Sequence, residues 1–219
     1  MGVKEAHGSS RVTRLDLELG SACDHRCGHC YNVWNAKDGE PRADYPRGRL
    51  PTPEYLALLD KAVKQSGAGH LTITGGEPLL FRDALDIIDR ACALVPSVQL
   101  ITNGSHVGPE VARRLGAARL RSVQLTFLSA EPATHDRLKG ADSFADTTRA
   151  VLDLGDAGVP VSVCFVATHQ NWQDFAEVME LCFALGIRTL SYNRMSATGW
   201  AIERIGELLP EVQEVEANL

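Results

Sequence analysis

Short runs in which apolar and polar residues alternate, each followed by a helical stretch, most limit what this chain can fold into. Leu15, Leu17 and Leu19 alternate with Asp16 and Glu18. Val123, Leu125 and Phe127 alternate with Ser122, Gln124 and Thr126, and Val161, Val163 and Phe165 with Ser162 and Cys164. Successive side chains on a strand point to opposite faces, so each run has one apolar and one polar face. A doubly wound sheet buries both faces and favours continuous apolar runs. Polar alternation over several parallel strands instead predicts helices on one face and a wet lumen on the other. The predicted fold class is therefore α/β: a partial (β/α)6 TIM-like barrel of parallel strands, with its active groups at the C-terminal strand ends.

Six strands are expected, at 14–19, 71–74, 98–102, 122–128, 161–166 and 189–193. The first helix opens at Thr52-Pro53-Glu54, with Thr52 as N-cap and Pro53 at the first helical position. Leu56, Leu59 and Val63 form its apolar stripe. A helix over 83–95 places Leu85, Ile88 and Cys92 on one face. Further helices are read at 109–115, 132–139 and 143–154. Trp172, Phe175, Ala176, Met179, Cys182 and Phe183 recur at helical spacing and predict the core face of the next. A last helix is expected over 203–215.

Composition excludes several classes. The net charge is −6 and no long basic run occurs, which argues against a DNA-binding face. No apolar run approaches the roughly 18 residues of a membrane span. Residues 1–7 lack the apolar core of a secretory signal, and Ala6 stands where a myristoylation signal has Ser or Thr. The expected location is the cytoplasm, where closely spaced cysteines mean metal or redox chemistry rather than disulfides. Residues 1–13 read as an N-terminal extension and 14–219 as one domain.

Cys23, Cys27 and Cys30 stand at CxxxCxxC spacing just past the first strand. On spacing alone, two metals fit. A zinc knuckle would take His25 or His29 as its fourth ligand. An iron–sulfur cluster, which normally takes four thiolates, would keep one iron open. Gly75-Gly76-Glu77-Pro78 follows the second strand on the same rim. Its glycines allow close approach of backbone to a ligand, and Glu77 offers a carboxylate. Taken alone it also reads as a plain strand-to-helix turn.

With both motifs in place, the chain resembles the radical S-adenosylmethionine (radical SAM) superfamily, from about Arg14 to Trp200. The resemblance implies that Cys23, Cys27 and Cys30 hold a [4Fe-4S] cluster whose fourth iron chelates S-adenosyl-L-methionine. Gly75, Gly76 and Glu77 would bind the methionine amino group, with Pro78 in the same cofactor-binding turn. One-electron reduction would yield a 5′-deoxyadenosyl radical that abstracts a substrate hydrogen, with electrons from a flavodoxin- or ferredoxin-type donor. His29 stands where the family often has an aromatic residue, and its backbone would meet the adenine. Ser129 matches a ribose-contacting position, and equally a turn cap. Asn103, in Thr102-Asn103-Gly104, resembles the family's TNG turn.

The stretch from Ser129 to Gly140, with Ser143-Phe144, resembles the peptide-modifying branch, whose members often carry an auxiliary-cluster domain (SPASM or twitch). His135, Asp136 and Arg137 are read there as structural. No cysteine follows Cys182, so the expectation is a core without the auxiliary domain. The implied substrate is a ribosomally made peptide, delivered by a separate recognition protein or bound at the barrel mouth. A small metabolite is the alternative, and a zinc-stabilised binding module the alternative of another class. Cys92 and Cys182 are expected in the core, Cys164 on the lumen face. Asp16, Glu18, Gln124 and Thr126 are expected to line the lumen.

Overall fold

A computed structural model describes residues 12–32 and 50–218. Six parallel strands pair strictly in chain order: β1 (Arg14–Glu18), β2 (His70–Thr74), β3 (Ser97–Ile101), β4 (Ser122–Thr126), β5 (Val161–Ala167) and β6 (Thr189–Arg194). Among the described residues no pairing joins β6 to β1, so the sheet is an open, partial barrel. Between them run α1 (Thr52–Ser66), α2 (Ala84–Leu94), α3 (Pro109–Ala117), α4 (Pro132–Lys139), α5 (Phe144–Asp156) and α6 (Phe175–Ala184). The short helices α7 (Ile205–Leu208) and α8 (Val212–Glu216) follow β6.

The pleat sorts the strands as the sequence pattern requires. Leu71, Ile73, Val98, Leu100, Val123, Leu125, Val163 and Phe165 are buried on the helix-facing side, in one core with α2, α3 and α5. The register carries the opposite parity across the sheet. Asp16 pairs with Thr72 and Thr72 with Gln99, which lies opposite Ser122. Gln124 lies beside Ser162 and Ser162 beside Thr189, while Thr126, Cys164 and Ser191 form the next row. These rows are the polar lumen. Thr126 and Cys164 sit at its C-terminal end because parallel strands that pair with a stagger climb along the barrel axis.

Several helix readings are corrected. Thr52 is the first helical residue of α1, flanked by extended Pro51 and followed by Pro53 at the second position. Its hydroxyl donates to the Asp83 carboxylate instead of capping the helix. In α2 the buried stripe is Ala84, Ile87, Ile88 and Ala91, with Leu85 and Cys92 at its edge. In α6 the core face is Phe175, Val178 and Cys182, while Met179 is 51% and Phe183 86% exposed. Trp172 lies in a preceding 3-10 turn. The expected single C-terminal helix is split, because Pro210 has no N–H with which to continue it.

Candidate functional site

The loop from Cys23 to Cys30 is held by groups from three other turns. Gly76 N–H donates to Gly20 C=O and Glu77 N–H to Ala22 C=O, both at 2.8 Å. The two glycines of that turn are sterically required. A Cβ on Gly76 would lie 2.2 Å from the Ala22 carbonyl oxygen, and one on Gly75, at φ 143°, 2.6 Å from that of Gly20. From the turn after β3, Asn103 Nδ2 donates to Asp24 Oδ1 at 2.6 Å. His106 Nε2 lies 3.0 Å from Asp24 Oδ2, and Ser105 Oγ 2.9 Å from His25 Nε2. From below, Arg26 N–H and Gly28 N–H donate to the Lys139 and Leu138 carbonyls. These are carbonyls in the last turn of α4, which the helix itself leaves unsatisfied.

α4 is in turn fixed from within. Glu131 caps it through the N–H groups of Ala133 and Thr134. Asp136 Oδ1 accepts from Ser143 and Phe144 N–H. His135 is buried between Phe127 and Phe144, with Nδ1 accepting from Leu128 N–H at 3.3 Å. Burial, then the nearby Lys139 cation, pushes its pKa down to about 3. The segment after β6 closes the other side: Ala201 N–H donates to Cys30 C=O, and the Arg204 guanidinium packs over Gly28.

These turns enclose a cavity of about 380 Å³. Cys23, Cys27 and Cys30 line it together with Gly75, Gly76, His29 and Asn103. Gln124, Thr126 and Cys164 form its floor from the strands. Glu77, Pro78 and Ser129 are not among the lining residues. Glu77 is wholly buried, its carboxylate accepting from Leu79 N–H, Thr102 Oγ1 and Asn103 N–H at 2.7–2.9 Å. Burial pushes its pKa up, opposed by those donors. Pro78 opens a 3-10 turn, and Ser129 Oγ accepts from Glu131 N–H as a turn cap. Asp16 and Glu18 are exposed on β1.

Burial pushes the Cys23 thiol up to about 11, and the Cys27 thiol also upward. In this pocket a thiolate is therefore costly unless a cation binds it, and a metal centre supplies that cation. Two further features suit a metal-bound cosubstrate. Buried His29 Nδ1 and His25 Nδ1 have no hydrogen-bond partner. Lys139 is 3% exposed and lines the cavity, with no carboxylate pairing its ammonium among the described residues. An unpaired buried cation calls for an anion, and among the described residues no Asp or Glu lines the cavity. The residues present thus fit three-thiolate ligation of a cluster beside a zwitterionic ligand. They fit a closed zinc site less well. Among the described residues no three His, Cys, Asp or Glu side chains gather about one ion position, whereas a cubane sets its three thiolates on three separate irons.

Lys139 escapes a reading by motif. The available signal was its spacing four residues after His135, which places both on the same helix face.

Residues 17–182 match the sequence profile of the Radical SAM superfamily. The chain is 30% identical over 205 residues to the mycofactocin maturase MftC of Mycobacterium ulcerans, covering 93% of this chain and 53% of that protein. It is 26% identical over 203 residues to the PqqA peptide cyclase of Granulibacter bethesdensis, covering 92% and 52%. The chain spans about half the length of the curated relatives it matches. Among solved structures, Streptococcus suis SuiB bound to S-adenosylmethionine superposes with a TM-score of 0.74 at 17% identity, covering 94% of this chain and 46% of that one. At that identity the likeness shows the fold alone.

Proposed function

The chain belongs to the radical SAM superfamily, and from that premise we propose that it is a peptide-modifying enzyme whose Cys23, Cys27 and Cys30 hold a [4Fe-4S] cluster beside S-adenosyl-L-methionine. The observation that carries this reading is the cavity itself. It gathers three half-buried thiols, a glycine turn with no room for side chains and one buried cation unpaired among the described residues. When bound, the cluster and its cosubstrate supply one-electron cleavage of a carbon–sulfur bond that ends in removal of a substrate hydrogen atom.

The chain's own residues position and enclose. Lys139 would hold the cosubstrate's carboxylate, and the backbone of Gly75 and Gly76 its amino group. Glu77 sets that backbone from behind, tying the turn after β2 to the turn after β3. His29 and Asn103 would border the nucleoside. Gln124, Thr126 and Cys164 would form the floor and limit the access of bulk water to the reacting carbon from the strand side.

A peptide substrate is supported by the relatives' names, a maturase and a peptide cyclase. We assign residues 14–219 to the core domain. We place the protein in the cytoplasm, with a flavodoxin- or ferredoxin-type electron donor. Among the described residues no helix is long and apolar enough to cross a membrane.

Anaerobic iron–sulfide reconstitution tests the reading, with about four irons per chain expected for a cubane. Dithionite and S-adenosyl-L-methionine should then release 5′-deoxyadenosine. Zinc without iron or sulfide in anaerobic preparations, or a loaded cluster that releases no 5′-deoxyadenosine, overturns it. Co-expression with short peptides encoded nearby, followed by mass spectrometry, tests the substrate class.

A further inference from the structure

The lumen contains a second cavity, at the N-terminal ends of the strands. It measures about 470 Å³, and its walls include His70, Gln99, Arg121, Ser122, Ser162 and Ser191. Gln124 lies in the walls of both cavities. Gln99 Nε2 donates to Gln124 Oε1 at 3.3 Å, so an amide pair stands between the two.

The chemistry of the lower cavity is one-sided. Among the described residues that line it, none is Asp or Glu, in a chain with 28 acidic and 22 basic residues. Arg121 presents a guanidinium, which only donates, and no carboxylate pairs with it among the described residues. Arg14 is nearby but committed to Asp16 at 2.8 Å. His70 is held by Ser97 Oγ at 2.8 Å. Burial, then the charges of Arg14 and Arg121, keep its imidazole below the usual histidine range, with Asp16 opposing. Ser162 is the most telling residue. It is 7% exposed, it lines the cavity, and its Oγ has no hydrogen-bond partner. A buried hydroxyl left in that state is costly and wants a ligand.

We infer that this cavity is a binding site for a small oxyanion of phosphate type. The guanidinium fork matches phosphate oxygens, and the hydroxyls of Ser122, Ser162 and Ser191 supply neutral donors around it. The phosphate group belongs either to inorganic phosphate or to a phosphate monoester of a small metabolite. The Gln99–Gln124 pair keeps the site apart from the cysteine-lined cavity, so the inference does not depend on the chemistry proposed there.

The test is isothermal titration of the reconstituted, desalted full chain with inorganic phosphate at constant ionic strength. Saturable binding with a Kd on the order of 1 mM is expected. Arg121→Gln and Ser162→Ala should each weaken it by about tenfold, with circular dichroism confirming that both variants fold. Arg113→Gln, on an exposed helix face, should leave it unchanged. A parallel titration with glycerol 3-phosphate names the source. Binding tighter by tenfold or more points to a monoester, and equal or weaker binding to inorganic phosphate. No saturable binding of either, or a phosphate Kd unaltered in both Arg121→Gln and Ser162→Ala, overturns the inference.

Discussion

The two cavities of the lumen are similar in size, about 380 and about 470 Å³, and they share Gln124, yet they are built differently. The lower one is walled mainly by strand residues, most of which strand parity turns inward. The upper one is assembled from turns that hydrogen-bond to one another across long sequence separations. Its tolerances are correspondingly tight: both glycines after β2 sit where a Cβ would strike backbone, whereas a Cβ on Gly69, just before β2, would meet nothing within 4 Å. The contrast is between a site fixed by periodicity and a site fixed by contacts. The second kind can hold reacting atoms to the precision that chemistry needs.

The largest expected effect tests whether the loop, rather than the cavity as a whole, would hold the proposed cluster. Replacing Cys23, Cys27 or Cys30 with Ala should drop reconstituted iron from about four per chain to near zero. Cys164→Ala, in the same cavity but on a strand, should keep its iron. Equal iron loss in all four variants would erase the distinction between loop and floor. Next in size is the steric contrast. Gly76→Ala should lower unfolding free energy by about 1–3 kcal/mol or more through forced overlap, and Gly69→Ala by no more than about 0.5 kcal/mol. Urea denaturation measures both.

Lys139 gives a third comparison, since its charge belongs to the upper cavity only. Lys139→Met should weaken S-adenosyl-L-methionine binding about 10–100-fold, the range of one hydrogen bond to a charged group. It should leave iron content intact. Equilibrium dialysis with the reconstituted protein reads the first and iron analysis the second. If affinity is unchanged, the buried ammonium serves something other than the cosubstrate's carboxylate.

His135 gives the upper region a response to pH. Its folded-state pKa is depressed to about 3, first by burial and then by Lys139, while an unfolded histidine titrates near about 6.5. A depressed folded value means that the native state refuses the proton. The stabilisation is therefore complete above about 6.5, and is lost at about 1.4 kcal/mol per pH unit as pH falls from there towards the folded value. The wild-type urea midpoint should decline over this window. In His135→Gln the decline should be shallower, though the variant starts from a lower midpoint at pH 8 because the ring no longer fills the space between Phe127 and Phe144. Parallel declines would remove His135 from the acid response of the upper region.

The sheet was legible in the sequence because a period of two needs no knowledge of neighbours. Leu15 against Asp16, or Leu125 against Gln124, identifies the two faces outright, and the cysteine and glycine motifs locate the rim. The helix faces were harder. Met179 and Phe183 continue a helical period from Phe175 as faithfully as Val178 and Cys182 do. Only the packing of α6 on β5 decides which stripe is buried, and it leaves Phe183 in solvent. Glu77 shows the same limit at the site. Its motif identifies the turn, but whether the carboxylate faces the cavity or Thr102 and Asn103 depends on the turn after β3, 25 residues away in sequence. Lys139 is illegible for the corresponding reason: a lysine ending a helix is usually solvated, and it is buried here because the cysteine loop lies across the end of α4.

The smallest effect is expected at the boundary between the cavities, and it tests most directly whether the lower one is a product of strand parity. The Gln99–Gln124 contact is a single neutral hydrogen bond at 3.3 Å between partly exposed amides. Such a bond contributes about 0.5–1.5 kcal/mol net, and at this length the lower end applies. Gln124→Ala should therefore cost under about 1 kcal/mol and leave reconstituted iron unchanged. A double-mutant cycle with Gln99→Ala should give a coupling near about 0.5 kcal/mol. A loss as large as that of Gly76→Ala would mean that the floor is held by contacts as tight as those of the rim. The two cavities would then be one cooperative structure rather than a contact-built chamber resting on a periodic one.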